Sequence, residues 1–392
     1  MDIGQTFLKI LIEQAAKTTF EFVPRKFSEL FGTKTPKEII RRLQKDCFYQ
    51  ENFIKSLLFL QDWSAKFGRT EFIDYDISKE YYPADKKHIS LQFHGETKNV
   101  VFPFKEEINF ISMPKAKILV NGIKTYVMPR DLERLTDANL KKFLLIKPNT
   151  FDGSNLRISN LRNLSDNNYE CDLEYASYYP QVRTNLTADY RLESGRIPTL
   201  RLLDMDDDRG LKPLEQSIMV NTIGTSAVVF YHKEGRLYFF MKLRKQLGIY
   251  ENMFGTTSGE VENPPEDIEP RDLVSFVSEE MKREFSYETG LNSSKVIKSV
   301  RPLAFTRDLI RGGKPQFFFL IEIREVSKRE FSSNFRKSIE GLDEFHNDLI
   351  YKLRFRSALS PEFALNLVYA IQALLSVKRL DTEPMNLDHK LG

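Results

Sequence analysis

The sequence predicts a mixed α/β fold for its C-terminal half, preceded by a helical and mixed N-terminal region. Three observations carry this. Two short apolar hairpin patterns lie at 227–241 and 312–323. Each is followed by a segment with apolar residues at helical spacing. A glycine or proline punctuates every junction. Strand hairpin, loop, helix, strand hairpin, helix is one domain's worth of α/β structure.

At 392 residues the chain is long for a single core, and two or three domains are expected. Their boundaries are placed at 1–110, helical and mixed; 111–212, mixed, either separate or an extension of the last domain; and 213–392, the α/β domain. The 41% hydrophobic and 29% charged content is that of an ordinary soluble protein. No apolar run reaches the ~18 residues of a membrane helix. Glu13 and Lys17 interrupt the first apolar stretch, which argues against a secretory signal. Cys47 and Cys171 form no metal-type pair and point to a reducing compartment, so a cytoplasmic location is expected. The net charge of +3 is spread without a basic face, so there is no strong nucleic-acid signal.

Taken in order, residues 3–31 carry Ile3, Phe7, Ile10, Leu11 and Ala15 at helical spacing, with Pro24 as a break. Thr35, Pro36 and Glu38 then form a helix start, and Gly68 a stop. Ile89–Phe93 alternates as a strand. Residues 117–127 read as a hairpin turning at Asn121-Gly122, followed by a helix over 129–144. The Asn-, Asp-, Ser- and Tyr-rich stretch 149–200 has no assignment. Ala227–Tyr231 and Leu237–Met241 flank a Lys233-Glu234-Gly235 turn. Pro264, Pro265 and Pro270 mark a loop, and Pro270 fits the first position of a helix. Down that helix Leu273, Val277, Met281 and Phe285 recur, and Gly290 ends it. Gly312-Gly313 precede the strand Gln316–Ile323. A last helix starts at Ser360-Pro361-Glu362, with Phe363, Leu367, Ile371, Leu374 and Leu375 on its buried side.

The stretch Arg283-Glu284-Phe285-Ser286-Tyr287-Glu288-Thr289-Gly290-Leu291 is where chemistry concentrates. At 100° per residue Glu280, Glu284, Tyr287 and Glu288 share one arc of the helix, facing a groove or solvent. Like charges four apart repel by a few tenths of a kcal/mol, so a compensating cation is expected. Arg283, able to pair with Glu279, is one candidate; a divalent metal is another. A solvated helix face with ordinary ion pairs remains open at this point.

These residues resemble the second half of the Nudix box, in which Arg-Glu-apolar is followed by paired glutamates and a Gly-apolar close. Arg283, Glu284, Phe285, Glu288, Gly290 and Leu291 match, while Tyr287 stands in place of the first paired glutamate. Gly259 resembles the box's opening glycine. Its separation of 24 positions from Arg283 is longer than the family's, implying an inserted segment that contains the prolines. Ser275 falls where the family has its early glutamate. The resemblance spans roughly 215–380 and implies an α/β/α sandwich with a mixed sheet.

It implies Mg2+ or Mn2+ bound by Glu284 and Glu288, with Glu280 as a substitute for the missing acid. Catalysis would rest on Glu284, oriented by Arg283. Gly259, Tyr287 and Arg244 would touch a nucleotide-type substrate, and Glu322 or Glu325 would supply a further acid. Two activities follow as expectations: metal-dependent hydrolysis of a nucleoside diphosphate linked to another moiety, or a weakened domain acting as nucleotide-binding sensor or scaffold. A protein partner could engage the N-terminal region. An interaction protein with an ordinary acidic helix is the third reading.

Other motifs carry less. Asp204, Asp206, Asp208 and Glu215 imitate a calcium loop, but Arg209 occupies the glycine position, so an acidic connecting turn is expected. Arg311-Gly312-Gly313-Lys314 lacks the upstream glycine of a P-loop. The five histidines have no metal spacing.

Overall fold

The computed structural model describes residues 81–93, 96–165, 167–192, 199–233, 236–239, 241–243, 254–255, 257–265, 270–326, 330, 345–346 and 360–380. The helices expected over 3–31 and 35–68 lie outside them. The strands are β1 Lys87–Phe93, β2 Glu96–Phe102, β3 Phe104–Asn109, β4 Lys117–Thr125, β5 Ser154–Ser165, β6 Asn168–Ser177, β7 Gly224–Lys233, β8 Arg236–Phe239, β9 Met241–Leu243, β10 Phe254–Gly255, β11 Thr257–Glu260, β12 Ile297–Asp308, β13 Lys314–Ile323 and β14 Phe345–His346. The long helices are α1 Arg130–Ile146, α2 Leu273–Thr289 and α3 Pro361–Leu380.

The expected mixed α+β architecture is present. The main sheet runs β11-β7-β13-β12-β3, with β8 on β7. It is mixed: β7 and β13 are parallel, with Gln316 opposite Gly224, and the other pairs are antiparallel. Side chains alternate across such a sheet. Ala227, Val229, Phe305, Phe317 and Phe319 therefore face one way, where they share a core with Leu273, Val277, Met281 and Phe285 of α2. Phe318 and Ser226 face the other way, against Tyr369 and Asn366 of α3. One helix on each face makes the sandwich. The sheet reaches into residues 104–109, on the N-terminal side of the boundary expected at 110. Among the described residues no helix is long and apolar enough to cross a membrane.

A second sheet, β4-β6-β5, adds Ile118, Leu156, Ile158, Cys171 and Leu173 to the α2 core. Two expectations are corrected here. There is no hairpin at Asn121-Gly122, because β4 runs straight through it, parallel to β6. The register slips between Val120 and Gly122, so Asn121 is a bulge, and its Nδ2 donates to Asp172 Oδ1 at 2.9 Å. The Asn-Gly signal marks an irregularity, but the strand finds its partner fifty residues away rather than next door. Pro270 is not the first residue of α2 either. Arg271 and Asp272 are bound to β4 through Val120 N–H and the Leu119–Asp272 bridge, so helical geometry begins only at Leu273.

The unassigned stretch 149–200 contains β5, β6 and a helical segment over 178–186. Helix α2 ends as expected at Gly290, in the left-handed region at φ 68°, with its N–H on Ser286 O at 2.8 Å.

The acidic turn after residue 203 is a capping device. Asp204 is 4% exposed and accepts from Ser217 Oγ at 2.8 Å and Ile218 N at 2.7 Å. Asp206 receives the Asp208 and Gly210 N–H groups. Burial pushes the Asp204 carboxyl up to about 6, against the hydrogen bonds from Ser217 and Ile218 and the nearby charges of Arg307 and Lys212. A carboxyl raised in the folded state holds more protons there than in the unfolded chain. Its contribution is therefore full below the unfolded pKa of about 4 and is lost as pH rises through about 6. Stability should fall by roughly 2–3 kcal/mol across that window, at ~1.4 kcal/mol per pKa unit. Asp204→Asn should flatten this slope in denaturant titrations at pH 4.5 and 7.5, taken as roughly the two ends of the window. An unchanged slope would assign it to other groups.

Candidate functional site

The site is built by β11, the loop after it, and α2. Gly259 lies opposite Thr225 of β7, and its open side faces the Glu284 side chain. A methyl group at Gly259 would stand 2.6 Å from Glu284 Cγ and nearer still to the carboxyl carbon. Glycine here permits a close approach between two residues 25 positions apart in sequence. Glu288, 1% exposed, accepts from Ser258 N at 3.3 Å, so both matching acids converge on the same strand.

The helical wheel left the acidic arc facing a groove or solvent; in the structure its Glu284 and Glu288 turn toward β11. Glu284 and Glu288 are buried beside Met281, Phe285 and Thr289, because the core of α2 extends onto both sheets and covers a wide arc of the helix. Burying carboxylates is costly unless they are paired or hydrogen-bonded. Arg283 does much of that pairing. Its Nη2 is 2.8 Å from Glu280 Oε2 and 3.5 Å from Glu284 Oε1, and its Nη1 is 3.1 Å from Glu262 Oε1. Its guanidinium carbon lies 5.1 Å from the Tyr287 ring centroid. Burial works against the Arg283 charge, but Glu280, Tyr287 and Glu262 outweigh it and hold the pKa above its ordinary value.

The expected Arg283–Glu279 pair is not formed. Glu279 points outward, 70% exposed, and binds Lys282 at 2.6 Å. Glu280, one position on, lies on the strand side within reach of Arg283.

The remaining candidates disperse. Glu322 pairs with Lys298 across β12 and β13 at 3.3 Å. Glu325 follows β13, where its carbonyl accepts from Arg324. Ser275 bonds to Asp272 at the start of α2, on an exposed side. Arg244 lies outside the described residues. Glu262 was not anticipated; no periodicity marks it, and only the return of the chain toward α2 brings it to Arg283.

Among the described residues no group of three or more His, Cys, Asp or Glu side chains is placed to hold a metal ion. Glu280 is held by Arg283, and position 287 offers a phenol in place of the carboxylate oxygens that hard cations prefer. These residues do not fit a multi-carboxylate metal site.

On the opposite face of the sheet lies a second ionic cluster that the sequence did not announce. Lys314 is fully buried with its Nζ 3.0 Å from Glu260 Oε2. Gln181 Nε2 donates to Glu260 Oε1 at 3.0 Å. Arg311 binds Asp308 at 2.6 Å and Gln316 Oε1 at 3.0 Å, with Glu362 of α3 at 3.5 Å. Burial pulls the Lys314 pKa down, and Glu260 partly restores it.

No protein-family model matches the chain, and no curated protein matches it as a relative. Among solved structures, the crystal structure of a Nudix hydrolase from M. smegmatis, RenU, matches 40% of this chain and 86% of that one, at 13% identity. Its TM-score is 0.23, too low to support an argument.

Proposed function

We propose that the C-terminal half is a Nudix-like domain that binds a nucleotide-type ligand and has lost most or all metal-dependent turnover. One observation carries the reading. Gly259 and Glu284, separated by 25 positions, meet side by side, as the ordered resemblance from Gly259 to Leu291 requires. An ordinary solvated acidic helix has no reason to bury Glu284 and Glu288 against a glycine-bearing strand. The weakened form is favoured over the hydrolase because Arg283 already engages Glu262, Glu280 and Glu284, and Tyr287 occupies an acid's position.

The chemistry left to these residues is recognition and not bond cleavage. Arg283 fixes the carboxylates, and β11 presents its backbone beside them. The test is equilibrium binding of the full chain to ADP-ribose, NAD, dinucleoside polyphosphates and nucleoside triphosphates in metal-free buffer. Saturable binding of one class is expected. Binding of none would leave the interaction-protein reading.

A further inference from the structure

A cation already sits among the carboxylates of α2, and it belongs to the chain. We propose that Arg283, laid on the ring of Tyr287, is the built-in counter-cation of this site, so that its acid cluster folds without a divalent ion.

The guanidinium reaches three carboxylates from two elements: Glu262 after β11, and Glu280 and Glu284 on α2. A planar fork of five donors, charged at every accessible pH, suits that task better than a lysine would. Lys282, the neighbouring base on α2, is committed to Glu279. The charge balance is local. Glu280 and Glu284 have side chains 16% and 8% exposed and both contact Arg283, whereas Glu262 is 55% exposed and screened by water. Glu288 accepts the Ser258 backbone N–H.

Tyr287 has a definite role in this arrangement. Its ring supplies a face 5.1 Å from the guanidinium carbon, and the ring's negative face attracts a cation held over it. An acid at 287 would add another carboxylate to the helix and remove the ring on which Arg283 rests. Tyr287 and Arg283 are thus a matched pair: the residue that removes one potential metal ligand also seats the cation that makes the metal unnecessary. The inference does not depend on the nucleotide reading, because it concerns the acids and their counter-charge alone.

The experiment uses the full chain and Mn2+ alone, followed by the free-ion electron paramagnetic resonance signal and by thermal unfolding. Wild type and Tyr287→Phe should leave the free Mn2+ signal undiminished and show no shift in Tm. Tyr287→Glu should bind Mn2+ at least about tenfold more tightly than wild type, corresponding to ~1.4 kcal/mol, with a matching rise in Tm. Arg283→Gln is the second variant, in case Tyr287→Glu does not fold: it should lower Tm, and Mn2+ should restore part of the loss. Mn2+ binding by wild type that Glu284→Gln removes would overturn the proposal. So would a Tyr287→Glu variant that folds and gains no Mn2+ affinity, or an Arg283→Gln variant with unchanged Tm. Nucleotide binding in metal-free buffer is read separately, so failure of that reading leaves this one standing.

Discussion

Gly259→Ala is expected to be among the most damaging single-methyl changes in the described residues. The added carbon would meet Glu284 Cγ at 2.6 Å, closer than real carbon contacts come. Glu284 cannot simply swing away, since it is 6% exposed and lies between Phe285, which is in the core, and Arg283. Either β11 separates from α2 or the buried carboxylate leaves its arginine. Overpacking typically costs about 1–3 kcal/mol, and loss of a buried charge contact adds to that, so ~3 kcal/mol is expected. Urea unfolding of the full chain measures it. The double variant Gly259→Ala with Glu284→Ala, which removes the obstructing side chain, should recover part of the loss. Additive losses would mean that the two residues do not touch.

The second large effect separates the two members of the Lys314–Glu260 pair. Glu260→Ala leaves a fully buried ammonium without its carboxylate and beside Arg311, and breaking a buried pair in this way costs about 3–5 kcal/mol. Lys314→Met should cost under ~1.5 kcal/mol. It removes the charge that burial already disfavours, and Glu260 keeps Gln181 and Thr222 as donors. The pH dependence has a fixed sign. Lys314 has a lowered pKa in the folded state, so the folded protein binds fewer protons than the unfolded chain and this group destabilises as pH falls below ~10. Without Glu260 the pKa drops further, and the Glu260→Ala variant should lose stability more steeply between pH 9 and pH 6, roughly the range below the ordinary lysine pKa. Equal losses for the two substitutions would show that the ion pair, and not the buried ammonium, sets the energetics.

Local signals were readable where they act locally. Gly290, the Gly312-Gly313 turn and the apolar row of α2 appear as the sequence implied, because caps, turns and helical periodicity are set within a few residues. What could not be read depends on partners distant in sequence. The Asn121-Gly122 signal points to a hairpin because nothing nearby in the sequence reveals that β4 pairs with β6. In 149–200 the inward residues Leu156, Ile158, Cys171 and Leu173 do alternate, but the polar residues between them obscured the pattern. At the site, helical spacing groups the acids on one arc, toward a groove or solvent, and does not show that Glu284 and Glu288 are buried. Their burial follows from two sheets packing on one helix, which no period of α2 encodes. Glu262 and Glu260 were missed for the same reason, since Arg283 and Lys314 reach them only across tertiary contacts.

The most direct measurement is turnover by the full chain with the same nucleotide panel in millimolar Mg2+ or Mn2+, with Glu284→Gln as control. The account predicts binding without metal-dependent product release, and no difference between wild type and Glu284→Gln in the residual rate. Metal-dependent release that Glu284→Gln abolishes would contradict it and make this chain a working hydrolase.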